Sequence, residues 1–201
     1  LNATVRRRFI VAAVVGSLFL VTTPAQAAPK YIFPIQGCTF TYGRYHHNYP
    51  ASDILTEVGC LFVAPTAGVI DEVNRKDRFT WKTNLGADRG GLSISLIGDD
   101  GVRYYGSHLS YISAKVAPGL HVKAGETIGK VGQSGDAKGL AAHLHFGISW
   151  PTPKGIWWVR RGELYPWPFL DAWKAGQDLS PARSIKVLEA KIGTVPKIPA
   201  Y

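Results

Sequence analysis

Six histidines and one aspartate are the residues of this chain whose types and spacing suit chemistry. The tightest group is His143-Leu144-His145. On a strand, side chains alternate between faces, so residues two apart share one. Leu144 and Phe146 then face a core, and two imidazoles stand side by side on the other face. Such a pair suits a metal site or an acid/base couple; an isolated H-x-H is otherwise incidental. A second group runs Tyr45-His46-His47-Asn48-Tyr49-Pro50-Ala51-Ser52-Asp53. It offers imidazole nitrogen and carboxylate oxygen, with Asp53 at a strand edge before apolar Ile54-Leu55. Its plainer reading is a solvated polar turn. His108, in Gly106-Ser107-His108-Leu109-Ser110, ends an expected strand and is otherwise a surface histidine. His121 lies between two turns and reads as exposed and without function.

Together these groups give a His/Asp/His donor set with further histidines beside it. Catalytic zinc takes three such protein ligands and keeps one position open. Histidines left over can move protons and stabilise a developing oxyanion. Other hydrolytic chemistries lack their signatures. There is no H-E-x-x-H, no phosphate-binding loop and no G-x-S-x-G, since Gly132-Gln133-Ser134-Gly135 has the wrong spacing. A sugar-chain hydrolase needs two carboxylates flanking a cleft, and Asp53 is the only one that the sequence places with the histidines.

The elements that must position these residues are short strands. Gly68, Gly90-Gly91, Asp99-Asp100-Gly101, Pro118-Gly119, Ala124-Gly125-Glu126 and Ser134-Gly135-Asp136 read as turns. Leu92, Ile94 and Leu96 alternate with serines, and residues 91–107 read as a hairpin about Asp99-Asp100-Gly101. Residues 61–73, 126–132 and 143–149 are further strands. Residues 74–90 are polar and read as a surface loop at a cleft edge. From about residue 150 the chain becomes an aromatic, proline-rich arm carrying Trp157, Trp158 and Trp167. It either packs over the sheet or forms a substrate platform. Residues 180–192 read as a helix, with Ser180 as cap, Pro181 at its first position and Gly193 as stop. The tail beyond, with Pro196 and Pro199, reads as loose.

The first 27 residues read as a secretory leader: Arg6-Arg7-Arg8, an apolar stretch from Phe9 to Val21, then Ala25-Gln26-Ala27. The apolar run is short for a membrane span and contains Gly16 and Ser17. No lasting membrane insertion is expected once it is cleaved, and no cysteine follows closely to carry a lipid. In the oxidising compartment beyond, Cys38 and Cys60 are expected to form a disulfide that holds the loop bearing His46, His47 and Asp53. Buried thiols or a Cys/His metal site are the alternatives, the latter disfavoured without C-x-x-C spacing. The formal charge of +9 suits an anionic partner such as a bacterial wall. Scattered basic residues on an exported chain argue against nucleic acid.

The chain resembles the lysostaphin/LytM-type zinc endopeptidases that cut bacterial peptidoglycan. The resemblance covers roughly residues 37–150. It rests on the histidine-to-Asp53 segment, Val63-Ala64-Pro65-Thr66-Ala67-Gly68-Val69-Ile70, Tyr105-Gly106-Ser107-His108-Leu109-Ser110, Pro118-Gly119 through Val122-Lys123-Ala124-Gly125-Glu126-Thr127-Ile128-Gly129, and His143-Leu144-His145-Phe146. It implies an all-β fold: a twisted, mostly antiparallel sheet with a grooved face, here with a short helical C-terminal extension. It implies one zinc ion held by His46 or His47, by Asp53 and by His145. It implies that His108 and His143 are catalytic and not ligands.

The first motif departs from the family's H-x-x-x-D, because position 49 is tyrosine and the histidines stand six and seven residues before Asp53. His47 keeps face parity with Asp53 if the segment is extended; His46 matches the first histidine of the pairs common in the family. Leu140-Ala141-Ala142 stands where the family often has proline before its H-x-H. Tyr42, Tyr45 and Tyr49 are candidate oxyanion partners.

The domain reading is a leader at 1–27, a linker at 28–36, a metallopeptidase domain at 37–175 with the arm from about 150, and a C-terminal helix and tail at 176–201. The expected protein is a secreted, wall-associated, monomeric peptidoglycan endopeptidase. A non-catalytic wall-binding or amidase-activating module on the same fold is the second reading.

Overall fold

The computed structural model describes residues 30–198; the leader expected at 1–27 lies outside them. Among the described residues, eleven strands form two antiparallel sheets around one core. The strands are β1 (Ile35–Gln36), β2 (Thr41–Tyr42), β3 (Ser52–Leu55), β4 (Leu61–Val63), β5 (Gly68–Asn74), β6 (Ser93–Gly98), β7 (Arg103–Ser107), β8 (Leu109–Ile112), β9 (His121–Val122), β10 (Thr127–Val131) and β11 (His143–Ser149). The larger sheet runs β2-β3-β11-β7-β6-β5-β9 and the smaller β1-β4-β10-β8. Three helices follow: α1 (Trp157–Arg160), α2 (Trp167–Lys174) and α3 (Ala182–Ile192).

The period of two decides which residues are core and which line the groove. Leu144, Phe146 and Ile148 of β11, Tyr104 of β7, and Ile94 and Leu96 of β6 are buried together between the sheets. Their alternates face the other way. Register sets Asp53 beside His145 and His145 beside Ser107. It sets Ser149 beside Arg103, and Tyr105 beside Ser95. One face of the large sheet is therefore a polar floor, running from Asp53 through the histidines to the serines of β6.

The expected hairpin forms as β6 and β7 about Asp99-Asp100-Gly101, and β11 spans the expected residues. Residues 61–73 do not form one strand. The chain breaks at Pro65, which has no N–H to donate, and β4 and β5 join different sheets. Residues 28–36 are not a linker where described: Tyr31, Phe33 and Ile35 are buried, and β1 pairs with β4. The expected tail is docked as far as Pro196. Trp150 Nε1 donates to Thr194 O at 2.8 Å and Trp158 Nε1 to Pro196 O at 2.9 Å. Pro181 sits one position before α3 as its cap, although Ser180 Oγ accepts the Ala182 N–H at 3.2 Å.

The arm packs over the sheet and supplies one wall of the groove. Gly147 makes this possible, because a β-carbon there would lie 2.1 Å from Arg161 O. The arm is pinned from below by Arg103, whose guanidinium donates to Thr152 Oγ1 at 2.8 Å and to Thr152 O at 3.0 Å. The same guanidinium pairs with Asp71 Oδ2 at 3.0 Å. With Arg103 only 2% exposed, its removal strands the half-buried Asp71 carboxylate. Arg103→Ala is expected to cost about 3 kcal/mol, read as a lowered urea midpoint.

Candidate active site

His145 and Asp53 meet because β11 and β3 are paired in register. Asp53 Oδ1 lies 3.0 Å from His145 Nδ1. His145 Nε2 lies 3.0 Å from Arg161 O. A carbonyl only accepts, so Nε2 carries the proton, and Nδ1 is the atom turned to the carboxylate. A lone pair facing a carboxylate at that distance requires a cation or a proton between them. His46 completes the group, its Nε2 3.7 Å from Asp53 Oδ2. Donor atoms of His46, Asp53 and His145 all lie within 4.8 Å of one another. Two imidazoles and one carboxylate, half-buried to buried, form a donor set that fits a divalent metal.

The loop bearing His46 is not extended between β2 and β3, so face parity does not apply to it. The structure brings His46 to the cluster. His47 is exposed, with its ring centroid 5.2 Å from that of His46. Cys38 and Cys60 form the expected disulfide at the base of this segment.

His108 and His143 face the same cluster, their ring centroids 4.8 Å apart. Each has Nδ1 against a backbone carbonyl at 2.8 Å, Ser134 O for His108 and Ala141 O for His143. Both Nδ1 atoms therefore donate, and both Nε2 atoms are left with lone pairs. His143 Nε2 lies 4.0 Å from Asp53 Oδ1. His108 lies between β7 and β8, where the chain passes from one sheet to the other, and has φ +63°. A non-glycine residue there carries strain of about 1 kcal/mol or more, a feature that gathers at functional sites.

The segment beneath His108 is tightly tied. Ser134 Oγ accepts the Leu92 N–H at 2.9 Å, Asp77 Oδ2 the Gly135 N–H at 3.0 Å, and Arg89 O the Asp136 N–H at 2.9 Å. Gly135 has φ +71°, and a β-carbon on it would lie 1.9 Å from Arg89 O. This turn also brings in a carboxylate missed in the sequence: Asp136 Oδ1 is 3.8 Å from His108 Nε2. Asp53 is thus not the only carboxylate among the histidines. Asp53 remains tied to His145, so the two do not form an open acid/nucleophile pair.

Burial, then the charges of His145 and His143, hold the His108 pKa down to about 3. Burial likewise lowers His46 to about 4, with His145 next in effect. Burial opposes ionisation of Asp53, but the hydrogen bond from His145 and the charges of His145, His46 and His143 outweigh it, and its pKa falls. Burial raises Asp136 against the opposing charge of Arg89.

These residues line a cleft of about 530 Å³, together with Trp81 from the 74–90 loop and Trp157, Arg160 and Arg161 from the arm. The 74–90 loop is thus at a cleft edge, as its polarity suggested. Of the three tyrosine candidates, Tyr49 reaches the cleft, with the Arg161 guanidinium 3.7 Å above its ring. Tyr42 instead donates to Asp171 Oδ1 at 2.7 Å, and Tyr45 packs edge-on against Tyr165. Tyr105 was missed: it faces the cleft, 6.2 Å from the His145 ring. The alternation of Arg103, Tyr105 and Ser107 with core residues is the signal that would have found it. His121 is exposed, with Nε2 3.3 Å from Asp99 Oδ1.

On the same arm, burial raises the Glu163 pKa to about 7, against the opposing charge of Arg161. The folded state then binds a proton more tightly than the unfolded state, whose reference value is 4.5. Stability falls as pH rises from about 4.5 to about 7 and is lowest above that window. Glu163→Gln removes this penalty. It is expected to stabilise the protein by roughly 1 kcal/mol at pH 8, discounted for partial exposure, and to change nothing near pH 4. Paired urea titrations at the two pH values check it.

The profile of peptidase family M23 matches residues 47–155, more than half of the chain. Lysostaphin from Staphylococcus simulans, an antimicrobial peptidase, is 26% identical with a TM-score of 0.53; the match covers 77% of this chain and 59% of that one. The lytM structure from Ruminococcus gnavus is 22% identical with a TM-score of 0.57, over 74% of this chain and 62% of that one. The isolated lysostaphin catalytic domain is 28% identical with a TM-score of 0.48, over 67% of this chain and 92% of that one. No curated protein matches the chain. The family match spans β3 to β11, the stretch that supplies Asp53, His108, His143 and His145, and the chain belongs to peptidase family M23.

Proposed function

We propose that this protein is a zinc endopeptidase that hydrolyses amide bonds in the peptide stems or cross-bridges of bacterial peptidoglycan. The observation that carries the reading is the pairing of two imidazole sets in one cleft. His46, Asp53 and His145 turn donor atoms toward one point, and His108 and His143 turn unprotonated Nε2 atoms toward the same place. His46, Asp53 and His145 Nδ1 would hold the ion, and nitrogen-rich donors of this kind favour zinc. Bound there, zinc would supply Lewis acidity toward the scissile carbonyl and acidify a water.

The rest of the mechanism falls to the chain. As water adds to the carbonyl carbon, Nε2 of His108 or His143 accepts its proton. That imidazole, now protonated, donates to the oxygen of the tetrahedral intermediate. The leaving nitrogen takes the proton as the C–N bond breaks. The Ser134 and Ala141 carbonyls hold both rings in the tautomer that can begin this cycle. Arg161 O does the same for His145, fixing Nδ1 as the ligating atom.

Family membership, the leader expected at 1–27 and the net positive charge support a wall substrate and an exported location. Among the described residues no helix is long and apolar enough to cross a membrane. The competing module without activity has no use for a complete donor set beside two free Nε2 atoms.

Mass spectrometry of muropeptides released from purified wall tests the reading. The expected products carry new amino termini and disappear with a chelator. New reducing ends alone would instead show sugar-chain cleavage. Wall binding without released peptide, by a protein that retains no zinc, would show a binding module.

A further inference from the structure

The two walls of the cleft touch at one end of it. Gly86 of the 74–90 loop lies against the indole of Trp157 on α1. A β-carbon on Gly86 would overlap Cη2 of that ring and would lie 2.7 Å from Cζ2 and 2.8 Å from Cζ3. Gly86 has no positive φ, so the approach of the indole is what requires glycine there. The loop is built to hold this contact. Asn74 Nδ2 donates to Gly91 O at 2.7 Å and clamps its two ends. Phe79 is buried beneath it. The Asn84 N–H donates to Thr80 O at 2.9 Å and the Asp88 N–H to Leu85 O at 3.0 Å. Arg89 Nε ties back to Asn84 Oδ1 at 3.1 Å.

Arg160 closes the space below the indole. It stands three residues after Trp157, on the same face of α1. Its guanidinium pairs with Glu72 of β5 and lies 5.2 Å over the Tyr105 ring. Beyond these residues the groove continues as a second cavity of about 400 Å³. Ala87, Trp157 and Arg160 line both cavities, so they stand between them. The interruption falls close to the histidines. The Tyr105 ring is 6.2 Å from the His145 ring and 5.2 Å from the Arg160 guanidinium, which places Arg160 within about 11 Å of His145. An extended peptide advances about 3.3 Å per residue, so about three residues fill that distance.

We propose that Trp157, braced by Gly86 and seated above Arg160, is an end wall that sets substrate length. On that side of the scissile amide the cleft accepts a peptide of about three residues and rejects longer ones. The opposite side carries no such limit. Trp157 is thus a specificity-determining residue, acting by exclusion and not on the reacting atoms. The proposal rests on the endopeptidase reading above and adds to it which peptides the cleft admits.

The first test is kinetic. The smallest synthetic stem peptide that the protein cuts is lengthened by one to six glycines, at its amino end in one series and at its carboxyl end in another. In the wild type, kcat/KM is expected to fall at least tenfold in one series only, once more than about three residues lie beyond the scissile amide. Trp157→Ala joins the two cavities and should raise the ratio of long-peptide to short-peptide kcat/KM at least tenfold in that series. A gain for long peptides is an outcome that misfolding does not produce. Gly86→Ala parts the same contact from the loop side and leaves the arm intact; it should raise the ratio at least threefold, and it decides the matter if Trp157→Ala does not fold. A wild type without a length limit in either series would overturn the proposal. So would variants that change all lengths equally, which would show a lid over the whole cleft or a structural role alone.

The second test needs no catalysis. The same peptides are titrated calorimetrically into the chelator-treated protein. Affinity is expected to drop at least tenfold past the same length, in the same series, and to recover in Trp157→Ala. A protein that cuts nothing but binds with this limit would sink the endopeptidase reading and leave the wall standing. One that cuts and binds without the limit would do the reverse, and one that neither cuts nor binds any peptide would overturn both.

Discussion

His145→Ala is expected to abolish hydrolysis, by a thousandfold or more, and to leave the protein without stoichiometric zinc. His145 occupies the centre of the site. Its Nδ1 faces Asp53 and its Nε2 is held by the Arg161 carbonyl, and it is 3% exposed. Removing it takes away one of the three donor atoms that would surround the ion, the one 3.0 Å from Asp53 Oδ1. A three-ligand site reduced to two loses most of its affinity. The same measurement separates the histidine pair on the first loop. His46→Ala is expected to lose metal and activity together, because Nε2 of His46 faces Asp53. His47→Ala is expected to keep both. Zinc content by atomic absorption, read beside muropeptide release, checks all three variants. A His145→Ala protein that retains zinc and activity would remove the assigned ligand role.

What the sequence disclosed, and what it hid, follows from the range of each signal. Alternation is local, so the shared face of His143 and His145 and the hairpin at Asp99-Asp100-Gly101 were legible without coordinates. The partnership of Cys38 with Cys60 was legible from compartment and number. Which of His46 and His47 turns inward was not, because a loop has no period to read. Asp136 was hidden for a different reason. It comes to His108 through bonds from Arg89, Asp77 and Leu92, residues far along the chain, and none leaves a local pattern. In the 28–36 segment Pro29, Pro34 and Gly37 suggest open chain. Yet Tyr31, Phe33 and Ile35 alternate at a period of two, and that apolar set won. Residues 61–73 failed the other way: their hydrophobicity runs on past Pro65, where the hydrogen-bond ladder cannot.

The second large effect falls on chemistry without touching the metal. His108→Ala is expected to lower kcat by a hundredfold to ten-thousandfold, the range for removing a general acid or base, while zinc content stays at the wild-type level. The distinction from His145 is geometric. His108 Nδ1 is engaged by Ser134 O and its Nε2 lies toward Asp136 and the His143 ring. His108 is also absent from the close donor group formed by His46, Asp53 and His145. His143→Ala should show the same split, and the double variant should lose less than the product of the two single losses, because the imidazoles serve one proton cycle. Alanine at 108 carries a further demand, since the backbone there has φ +63°. His108→Asn separates strain from chemistry. Asparagine tolerates this conformation far better than most residues, so a folded, zinc-loaded His108→Asn protein with the same loss in kcat assigns that loss to the missing imidazole. Full activity in the His108→Asn protein would show instead that His143 alone carries the proton.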